Sequence, residues 1–360
     1  MKMTMYGLPC SGKSTLISKM DFVNHNKESE KDMIIEEHFS YPSKEGYAKT
    51  FTDNDTGRYD VIAFLDTAPD IILERMKQSE DYNRYSDLTE EDLVSWRDYE
   101  VTNLRSECFS KGKEFIILDP KFDKILEFLE GIFNGSVLTS PQVARLAADR
   151  ILQSTDKHTI ILSDGDRTLS DIDLTLSLDL PRLMDLRDLF YGDRYTTFQF
   201  WYVYDIYHEV PNLEEKMRER SEDAQLNQPL LDDLSQIDSY RVVITAGLED
   251  LWTNAVKKSS VFHMAIGTDV NAVRCMSQFS KAYIARYLRE AGHKVIALGD
   301  NMVDYRMLMG ADRGYVIAHQ KKNPVLQKAV LGGTKLKQPA SNEIKFEGVE
   351  IVSSIHKDAQ

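Results

Sequence analysis

Asp164-Gly165-Asp166-Arg167-Thr168-Leu169 follows the apolar run Thr159-Ile160-Ile161-Leu162 near the middle of this 360-residue chain. A short apolar run bounded by polar residues is typical of a buried β-strand. Two carboxylates at the end of such a strand can serve as a nucleophile and a proton donor. The stretch therefore predicts a buried strand with the chemistry at its carboxyl end.

Three further motifs follow in order. The apolar strand over 242–247 contains Thr245 near its end, Lys281 opens a predicted amphipathic helix over 282–291, and the strand over 295–298 leads into Gly299-Asp300-Asn301-Met302-Val303-Asp304. Together with the first stretch they have the order DxDxT, S/T, Lys and GDxxxD. This half of the chain resembles the haloacid-dehalogenase (HAD) superfamily of phosphatases over about 160 residues. The resemblance implies a Rossmann-like sheet.

The resemblance also implies a catalytic role for each side chain. Asp164 is expected to attack phosphorus and form an aspartyl phosphate, while Asp166 protonates the leaving group and later deprotonates water. Thr245 is expected to bind a phosphoryl oxygen, and Lys281 to neutralise charge on Asp164 and the phosphate. Mg²⁺ is the implied cofactor. Its expected ligands are Asp164, the backbone carbonyl of Asp166 and Asp300. Asp304 is expected either to bind the ion directly or to hydrogen-bond to one of its ligands.

About 75 residues separate Thr168 from Thr245, and their pattern is mostly helical. An insertion at this point resembles the helical cap of the phosphoserine-phosphatase branch, and we place it at about 170–240. Such a cap closes over a small phosphorylated substrate and excludes water. A lidded pocket of this kind disfavours polymers.

A second phosphate-handling signature lies at the start of the chain: Gly7-Leu8-Pro9-Cys10-Ser11-Gly12-Lys13-Ser14-Thr15. It follows the apolar strand over 2–6 and precedes a predicted helix over 14–20, which is the context that a P-loop requires. Its N–H groups and Lys13 are expected to bind the phosphates of ATP or another NTP, and Ser14 to bind Mg²⁺. The predicted nucleotide-binding residues are Gly7, Cys10, Ser11, Gly12, Lys13, Ser14 and Thr15.

Carboxylates after the next strand are candidates for phosphoryl transfer. The strand over 33–35 ends in Glu36 and Glu37, which are placed to hold Mg²⁺ or to take a proton from an acceptor hydroxyl. A solvated loop is the alternative interpretation. The chain from 60 to 76 resembles the nucleoside- and nucleotide-kinase branch of P-loop proteins, which implies that Arg75 and Arg84 belong to a lid.

The acceptor region of this first half departs from that branch. Only about 24 residues separate Glu36 from Asp60, where such kinases usually place further helices and another strand. The acceptor pocket is therefore expected to be abbreviated or built differently. The sequence accordingly supports nucleotide binding more strongly than it supports kinase activity.

Gly, Ser and Pro cluster over 134–141 and predict a domain boundary. We expect a P-loop kinase-like domain over 1–135, a linker and helix over 136–156, and a HAD-like phosphatase domain over 157–360. Each domain is predicted to be α/β, with a mainly parallel sheet flanked by helices. The apolar stretch over 349–352 is a candidate edge strand.

Composition limits the partners. The net charge of −14 does not favour the binding of a long polyanion such as a nucleic acid. Three scattered cysteines suit a reducing cytoplasm and offer no zinc site, and no apolar stretch is long enough to predict a membrane span. We therefore expect a cytoplasmic protein without membrane partners, and the oligomeric state stays open.

These expectations leave three hypotheses. The preferred one is a bifunctional kinase and phosphatase acting on a small metabolite or nucleotide. The second is a 5′-kinase and 3′-phosphatase for nucleic-acid ends, since the domain order resembles the phage polynucleotide kinase-phosphatases; the acidic charge and the cap argue against it. The third is a phosphatase with a nucleotide-binding regulatory domain.

Overall fold

The computed structural model describes residues 1–21, 32–79, 85–178, 187–190, 194–207, 210–317 and 349–352. The chain divides into two compact units, Met1–Thr139 and Ser140–Gln360. Each unit contains a parallel sheet with helices around it, so the predicted α/β class is confirmed. Within the described ranges, none of the helices combines the length and apolar character needed to cross a membrane.

The first unit is built on a four-stranded parallel sheet. The strands are β1 (Lys2–Tyr6), β2 (Met33–Glu36), β5 (Val61–Leu65) and β6 (Glu114–Leu118), and an antiparallel hairpin of β3 (Ser40–Ser43) and β4 (Gly46–Lys49) is inserted between β2 and β5. The order across the sheet is β2-β1-β5-β6. Its strands are almost entirely buried, as expected when helices cover both faces of a parallel sheet. The helices are α1 (Lys13–Ile17), α2 (Asp53–Arg58), α3 (Pro69–Lys77), α4 (Glu90–Lys111) and α5 (Ile125–Asn134).

The second unit is built on a six-stranded parallel sheet. The strands are β7 (Thr159–Ser163), β8 (Tyr240–Leu248), β9 (Met264–Thr268), β10 (Lys294–Gly299), β11 (Arg313–Ile317) and β12 (Val349–Val352). The helices are α6 (Ser140–Ser154), α7 (Thr197–Tyr207), α8 (Leu213–Glu222), α9 (Gln228–Ser235), α10 (Glu249–Lys257), α11 (Gln278–Glu290) and α12 (Tyr305–Gly310). The order across the sheet is β12-β11-β10-β7-β8-β9. It reverses between β7 and β10, which creates the crevice where α/β sheets commonly bind ligands.

Several element boundaries differ from those predicted. Helix α6 packs against α11 and belongs to the second unit, whereas the sequence grouped it with a linker. Helix α11 begins at Gln278, so Lys281 lies in its first turn and does not open it. Helix α1 is shorter than predicted and ends at Ile17. The predicted edge strand is confirmed, because β12 pairs in parallel with β11.

The insertion between β7 and β8 is helical in its described parts. It contains α7, α8 and α9 together with two short 3₁₀ helices, Leu176–Leu178 and Arg187–Phe190. Part of the predicted apolar face of this cap, at 183 and 186, lies outside the described residues. Several buried side chains of α7 are aromatic, with Phe198, Trp201 and Tyr204 each less than a tenth exposed.

Candidate functional site

Three carboxylates meet at the carboxyl edge of the second sheet. Strands β7 and β10 are neighbours in register, so Asp164 and Asp300 leave the sheet side by side. One oxygen from each of Asp164, Asp300 and Asp304 lies within 4.8 Å of the others. The two sequence motifs that predicted these residues are thus brought together in space.

Lys281 joins this group from α11. Its Nζ lies 2.5 Å from Asp164 Oδ1 and 2.6 Å from Asp304 Oδ1, and the side chain is 1% exposed. The first turn of α11 is fixed by a capping box in which the Ser277 side chain accepts a hydrogen bond from Ser280 N. The ammonium group is therefore held between two of the carboxylates by a rigid helix start.

The charge of this cluster is strongly unbalanced. Burial, followed by the charge of Asp304, raises the pKa of Asp164 to about 7. Burial, followed by the charges of Asp164 and Asp304, raises the pKa of Asp300 to about 9. Burial alone would lower the pKa of Lys281, but Asp164 and Asp304 outweigh it and the pKa is raised. If all three carboxylates were ionised, one ammonium group would leave excess negative charge in a poorly solvated place, which is why the pKa values of Asp164 and Asp300 are raised.

That imbalance and the chemistry of the donors fit Mg²⁺. Carboxylate oxygens are hard ligands of the kind that Mg²⁺ prefers, and a divalent cation would neutralise the excess charge. Asp164, Asp300 and Asp304 could hold such an ion, with the backbone carbonyl of Asp166 as the remaining predicted protein ligand. Among the described residues, these three aspartates form the group of acidic, His or Cys side chains close enough to share a metal.

Thr168 bridges the same carboxylates, although sequence reasoning assigned it no separate role. Its hydroxyl lies 3.4 Å from Asp164 Oδ2 and 3.3 Å from Asp300 Oδ1, and the residue is fully buried. Its place in the motif, four residues after Asp164, was the available signal. At Gly299 there is no room for a side chain, because a Cβ there would lie 2.4 Å from Asp304 Cβ.

Asp166 is held apart from this cluster by its own set of donors. Oδ1 accepts a hydrogen bond from Leu174 N at 2.7 Å, while Thr175 Oγ1 and Trp252 Nε1 each lie 3.3 Å from Oδ2. Burial, followed by the charges of Asp173 and Asp164, raises the pKa of Asp166 well above its ordinary value. A raised pKa favours the protonated form of a carboxyl group, which can act as a proton donor.

Thr245 lies beside Asp166. Its Oγ1 accepts a hydrogen bond from Gly247 N at 2.9 Å and lies 3.5 Å from Asp166 Oδ2. Sequence reasoning missed Trp252 in α10, because no local pattern connects it to Asp166 and only the packing of α10 reveals the contact. The four residues predicted as catalytic are therefore gathered at one edge of the sheet, together with Thr168 and Trp252.

The glycine-rich loop of the first unit opens onto a cavity of about 900 Å³. Gly12 has a φ of 99°, which favours glycine, at the point where the loop enters α1. Lys13 Nζ donates to Gly7 O at 2.6 Å and Leu8 O at 3.2 Å, and burial lowers its pKa to about 8. Among the predicted nucleotide-binding residues, those that line the cavity are Cys10, Ser11, Gly12, Lys13, Ser14 and Thr15.

The kinase candidates have different surroundings. Glu36 lines the cavity and its Oε2 accepts a hydrogen bond from Ser14 Oγ at 2.8 Å, whereas Glu37 does not line it. Arg75 donates to the carbonyls of Cys10 at 3.2 Å and Ser11 at 3.0 Å, so its guanidinium group braces the glycine-rich loop itself. Arg84 lies outside the described residues.

Glu100 in α4 is a buried carboxylate that the sequence did not single out. Its Oε1 accepts hydrogen bonds from Ser40 N at 3.0 Å, Ser40 Oγ at 2.9 Å and Trp96 Nε1 at 3.0 Å. Burial raises the pKa of Glu100 to about 7, although Ser40, Lys13 and Trp96 each lower it. The carboxylate thus fixes the start of the β3–β4 hairpin against α4.

Replacing Glu100 with Gln should remove a pH dependence from the stability of the first unit. Between the ordinary pKa of 4.5 and the folded value of about 7, the folded state binds more protons than the unfolded state. The contribution of Glu100 to the free energy of unfolding is therefore complete below pH 4.5 and is lost as the pH rises through about 7. As the pH rises between those limits, the free energy of unfolding of the Glu100→Gln variant should rise by on the order of 3 kcal/mol relative to that of the wild type.

Pulse proteolysis in urea, following fragments of the first unit, measures this difference. Glu130→Gln is the matched control, because Glu130 is exposed on α5. A difference between the Glu100→Gln variant and the wild type that does not change with pH would contradict the assignment.

No protein-family model matches the chain, and no curated protein matches it. Several solved structures are similar. A HAD-family hydrolase from Salmonella enterica serovar Typhi is 15% identical, with 51% of this chain and 73% of that chain covered and a TM-score of 0.36. The L-2-haloacid dehalogenase of Xanthobacter autotrophicus is 13% identical, with 55% and 95% covered and a TM-score of 0.31.

A third similar structure is cytosolic 5′-nucleotidase IIIB bound to cytidine. It is 11% identical, with 61% of this chain and 88% of that chain covered and a TM-score of 0.31. TM-scores below 0.5 carry no functional argument, so the chemistry of this chain has to be inferred from its own residues.

Proposed function

We propose that the second unit hydrolyses phosphomonoesters in a Mg²⁺-dependent reaction with Asp164 as the nucleophile. The observation that carries this proposal is the convergence of Asp164, Asp300 and Asp304 around the ammonium group of Lys281. A structural ion pair needs one carboxylate for one ammonium group, whereas this cluster has two more. The surplus carboxylates could bind a divalent cation, and that cation with Lys281 would offset the charge of a phosphate dianion.

The reaction would proceed in two displacement steps. An oxygen of Asp164 forms a bond to phosphorus as the bond to the leaving oxygen breaks, and Asp166 donates its proton to that oxygen. Asp166 then takes a proton from water, which attacks the phosphorus of the aspartyl phosphate and releases inorganic phosphate and free Asp164. Lys281 balances negative charge on Asp164 and on the phosphoryl oxygens. Mg²⁺, when bound, would supply further positive charge to the phosphoryl group.

The environment of Asp166 supports its proposed role as the acid. Burial raises its pKa well above the ordinary value, which favours the protonated form that the first step needs. Trp252 and Thr175 hold Oδ2, and Leu174 N holds Oδ1, so the carboxyl group is fixed before substrate arrives. Thr245, 3.5 Å from Asp166 Oδ2, is proposed to bind a phosphoryl oxygen.

We propose a small phosphorylated metabolite or nucleotide as the substrate. The helical insertion supports this, because it carries buried aromatic side chains and would enclose a small molecule more readily than a polymer. The alternative substrate is the 3′-phosphate end of a nucleic acid. The acidic net charge of −14 disfavours it, since binding to a polyanion would require compensating basic residues.

Hydrolysis and its metal dependence provide the test. The full-length protein is incubated with phosphoserine, sugar phosphates, nucleoside monophosphates and a 3′-phosphorylated oligonucleotide, with Mg²⁺ or with EDTA. We expect Mg²⁺-dependent release of phosphate from one or more of the small esters. Release that survives EDTA would overturn the proposed metal site, and turnover of the oligonucleotide alone would overturn the substrate class.

Replacing Gly299 with Ala should lower kcat/KM for p-nitrophenyl phosphate by about 100-fold, because a displaced catalytic group of this kind costs roughly that factor. The added methyl group would lie 2.4 Å from Asp304 Cβ and 2.6 Å from Asp304 Cγ, and Asp304 is fully buried. Gly310→Ala is the control, since its Cβ would meet Ala282 O at an ordinary 3.9 Å. Equal activity in the two variants would contradict the importance of Asp304.

For the first unit, we propose NTP-dependent phosphoryl transfer, with ATP as the donor. The contact of Ser14 with Glu36, at the cavity that Lys13 also lines, supports this proposal. Ser14 would hold Mg²⁺ and Glu36 would take the proton of an acceptor hydroxyl. The regulatory alternative predicts that ATP binds without transfer of its γ-phosphate to any acceptor, which an assay with labelled ATP distinguishes.

A further inference from the structure

The cavity of the first unit crosses the carboxyl edge of its sheet. In the order β2-β1-β5-β6, the glycine-rich loop follows β1 in the interior of the sheet. His38 and Tyr41 follow β2 at one edge, and Pro120 and Phe122 follow β6 at the other. All four residues line the cavity. The space for a ligand therefore has one flank on each side of the phosphate loop.

Phosphoryl transfer assigns different ligands to the two flanks. The attacking and leaving oxygens lie roughly in line through phosphorus, so donor and acceptor approach from opposite sides. Glu36 ends β2 and contacts Ser14, which places a carboxylate suited to deprotonate an acceptor on the β2 flank. The β2 flank is then the acceptor side, and the β6 flank receives the nucleoside portion of the donor.

The acceptor flank is aromatic. The ring centroids of His38 and Tyr41 are 5.2 Å apart, and Tyr85 lines the same cavity. Tyr41 and Tyr47 of the β3–β4 hairpin pack against a buried cluster that contains Leu8 of the phosphate loop and Trp96. The sequence predicted an abbreviated acceptor region at this point, and the structure fills it with an aromatic hairpin.

The hairpin is also held rigidly. Glu100 accepts hydrogen bonds from both the N–H and the hydroxyl of Ser40, the residue directly before Tyr41. Trp96 donates to the same carboxylate oxygen and stacks with Tyr47, with 6.4 Å between the ring centroids. Rigid aromatic side chains bind a planar ring with little loss of conformational freedom.

We propose that His38, Tyr41 and Tyr85 form an acceptor subsite for the planar ring of a nucleoside-class compound whose sugar hydroxyl reaches Glu36. The proposal rests on phosphoryl transfer by the first unit. In the reaction, Glu36 takes the hydroxyl proton, the sugar oxygen bonds to the γ-phosphorus of the NTP, and the bond to the bridging oxygen breaks to release NDP. The ring is selected by stacking on these aromatic side chains.

Direct binding measurements on the full-length protein test the subsite apart from catalysis. Calorimetry is carried out with adenosine, guanosine, cytidine, uridine, ribose, glycerol and a short oligonucleotide with a 5′-hydroxyl, and separately with a non-hydrolysable ATP analogue. Tyr41→Ala should weaken nucleoside binding about tenfold, since stacking on one ring is worth roughly that factor, while leaving the affinity for the ATP analogue unchanged. Phe122→Ala should weaken binding of the ATP analogue and leave the affinity for nucleosides unchanged. Tyr41→Phe should bind nucleosides with the wild-type affinity.

The outcomes separate the subsite from the proposed transfer. Equal nucleoside affinity in wild type and Tyr41→Ala would overturn the subsite, as would binding of ribose or glycerol as tightly as nucleosides. Binding that depends on Tyr41 without transfer of labelled γ-phosphate would retain the subsite and overturn the kinase function. A preference for the oligonucleotide over every free nucleoside would identify a nucleic-acid end as the source of the ring, and the reverse would identify a free nucleoside.

Discussion

Replacing Asp164 with Asn should reduce kcat for phosphomonoester hydrolysis by about 10⁴-fold or more, the scale seen when an enzyme loses its nucleophile. An amide oxygen cannot displace the leaving group as a carboxylate can, whereas the size of the side chain is unchanged. Calorimetry with an ATP analogue should give the wild-type affinity, because the glycine-rich loop proposed to bind it lies in the other unit. Release of phosphate from the best substrate of the panel measures the first effect.

Two further variants make this result specific. Asp149→Asn is the matched control, since Asp149 is exposed on α6. It should hydrolyse the substrate at the wild-type rate. Lys13→Ala should show the reciprocal pattern, with weaker binding of the ATP analogue and unchanged hydrolysis. If either Asp164→Asn or Lys13→Ala abolished both activities, two independent sites would be the wrong description of this chain.

Several of the residues that could be predicted from the sequence lie directly after strands. Asp164 and Asp300 each follow an apolar run, and parallel strands bring their carboxyl ends to one edge, so proximity follows from topology alone. The same reasoning placed Lys13 and Ser14 at the start of a helix after β1. In these cases a local pattern identifies the element and the sheet supplies the long-range contact.

Contacts that depend on helix packing could not be predicted in this way. Trp252 reaches Asp166 because α10 packs beside β8, and nothing in the neighbouring sequence marks its indole as a donor. Arg75 resembled a lid arginine by its position in α3, yet its guanidinium donates to two loop carbonyls. A charged side chain on a helix has many reachable partners, and only the packing of that helix selects among them.

The β3–β4 hairpin shows a different limit. Its strands have four residues each, and β3 contains Pro42. Pro lacks an N–H and is tolerated only in edge strands, so the segment carries a weak strand signal. What holds it is the buried carboxylate of Glu100, which is 60 residues further along the chain from Ser40. The short segment between Glu36 and Asp60 indicated that this region differs from the one in the kinases that it resembles, but it did not predict a hairpin.

Lys281→Met should destabilise the second unit by about 3–5 kcal/mol, the usual cost of breaking a buried ion pair by removing one partner. Asp164 and Asp304 would keep their positions without the ammonium group that lies 2.5 and 2.6 Å from them. Hydrolysis should be lost with it, because phosphate would meet uncompensated carboxylates. Pulse proteolysis in urea, following fragments of the second unit, gives the free energy of unfolding.

Magnesium distinguishes a metal-binding cluster from a purely structural one. An ion that binds only the folded state stabilises it in proportion to the logarithm of its concentration above Kd. Removing Lys281 makes the cluster more negative, so millimolar Mg²⁺ should stabilise Lys281→Met more than it stabilises the wild type. Lys257→Met, on the exposed side of α10, should lie within about 0.5 kcal/mol of the wild type at every Mg²⁺ concentration. An unfolding free energy of Lys281→Met that is unaffected by Mg²⁺ would show that the three carboxylates hold no cation, and the proposed chemistry of this edge would fail with it.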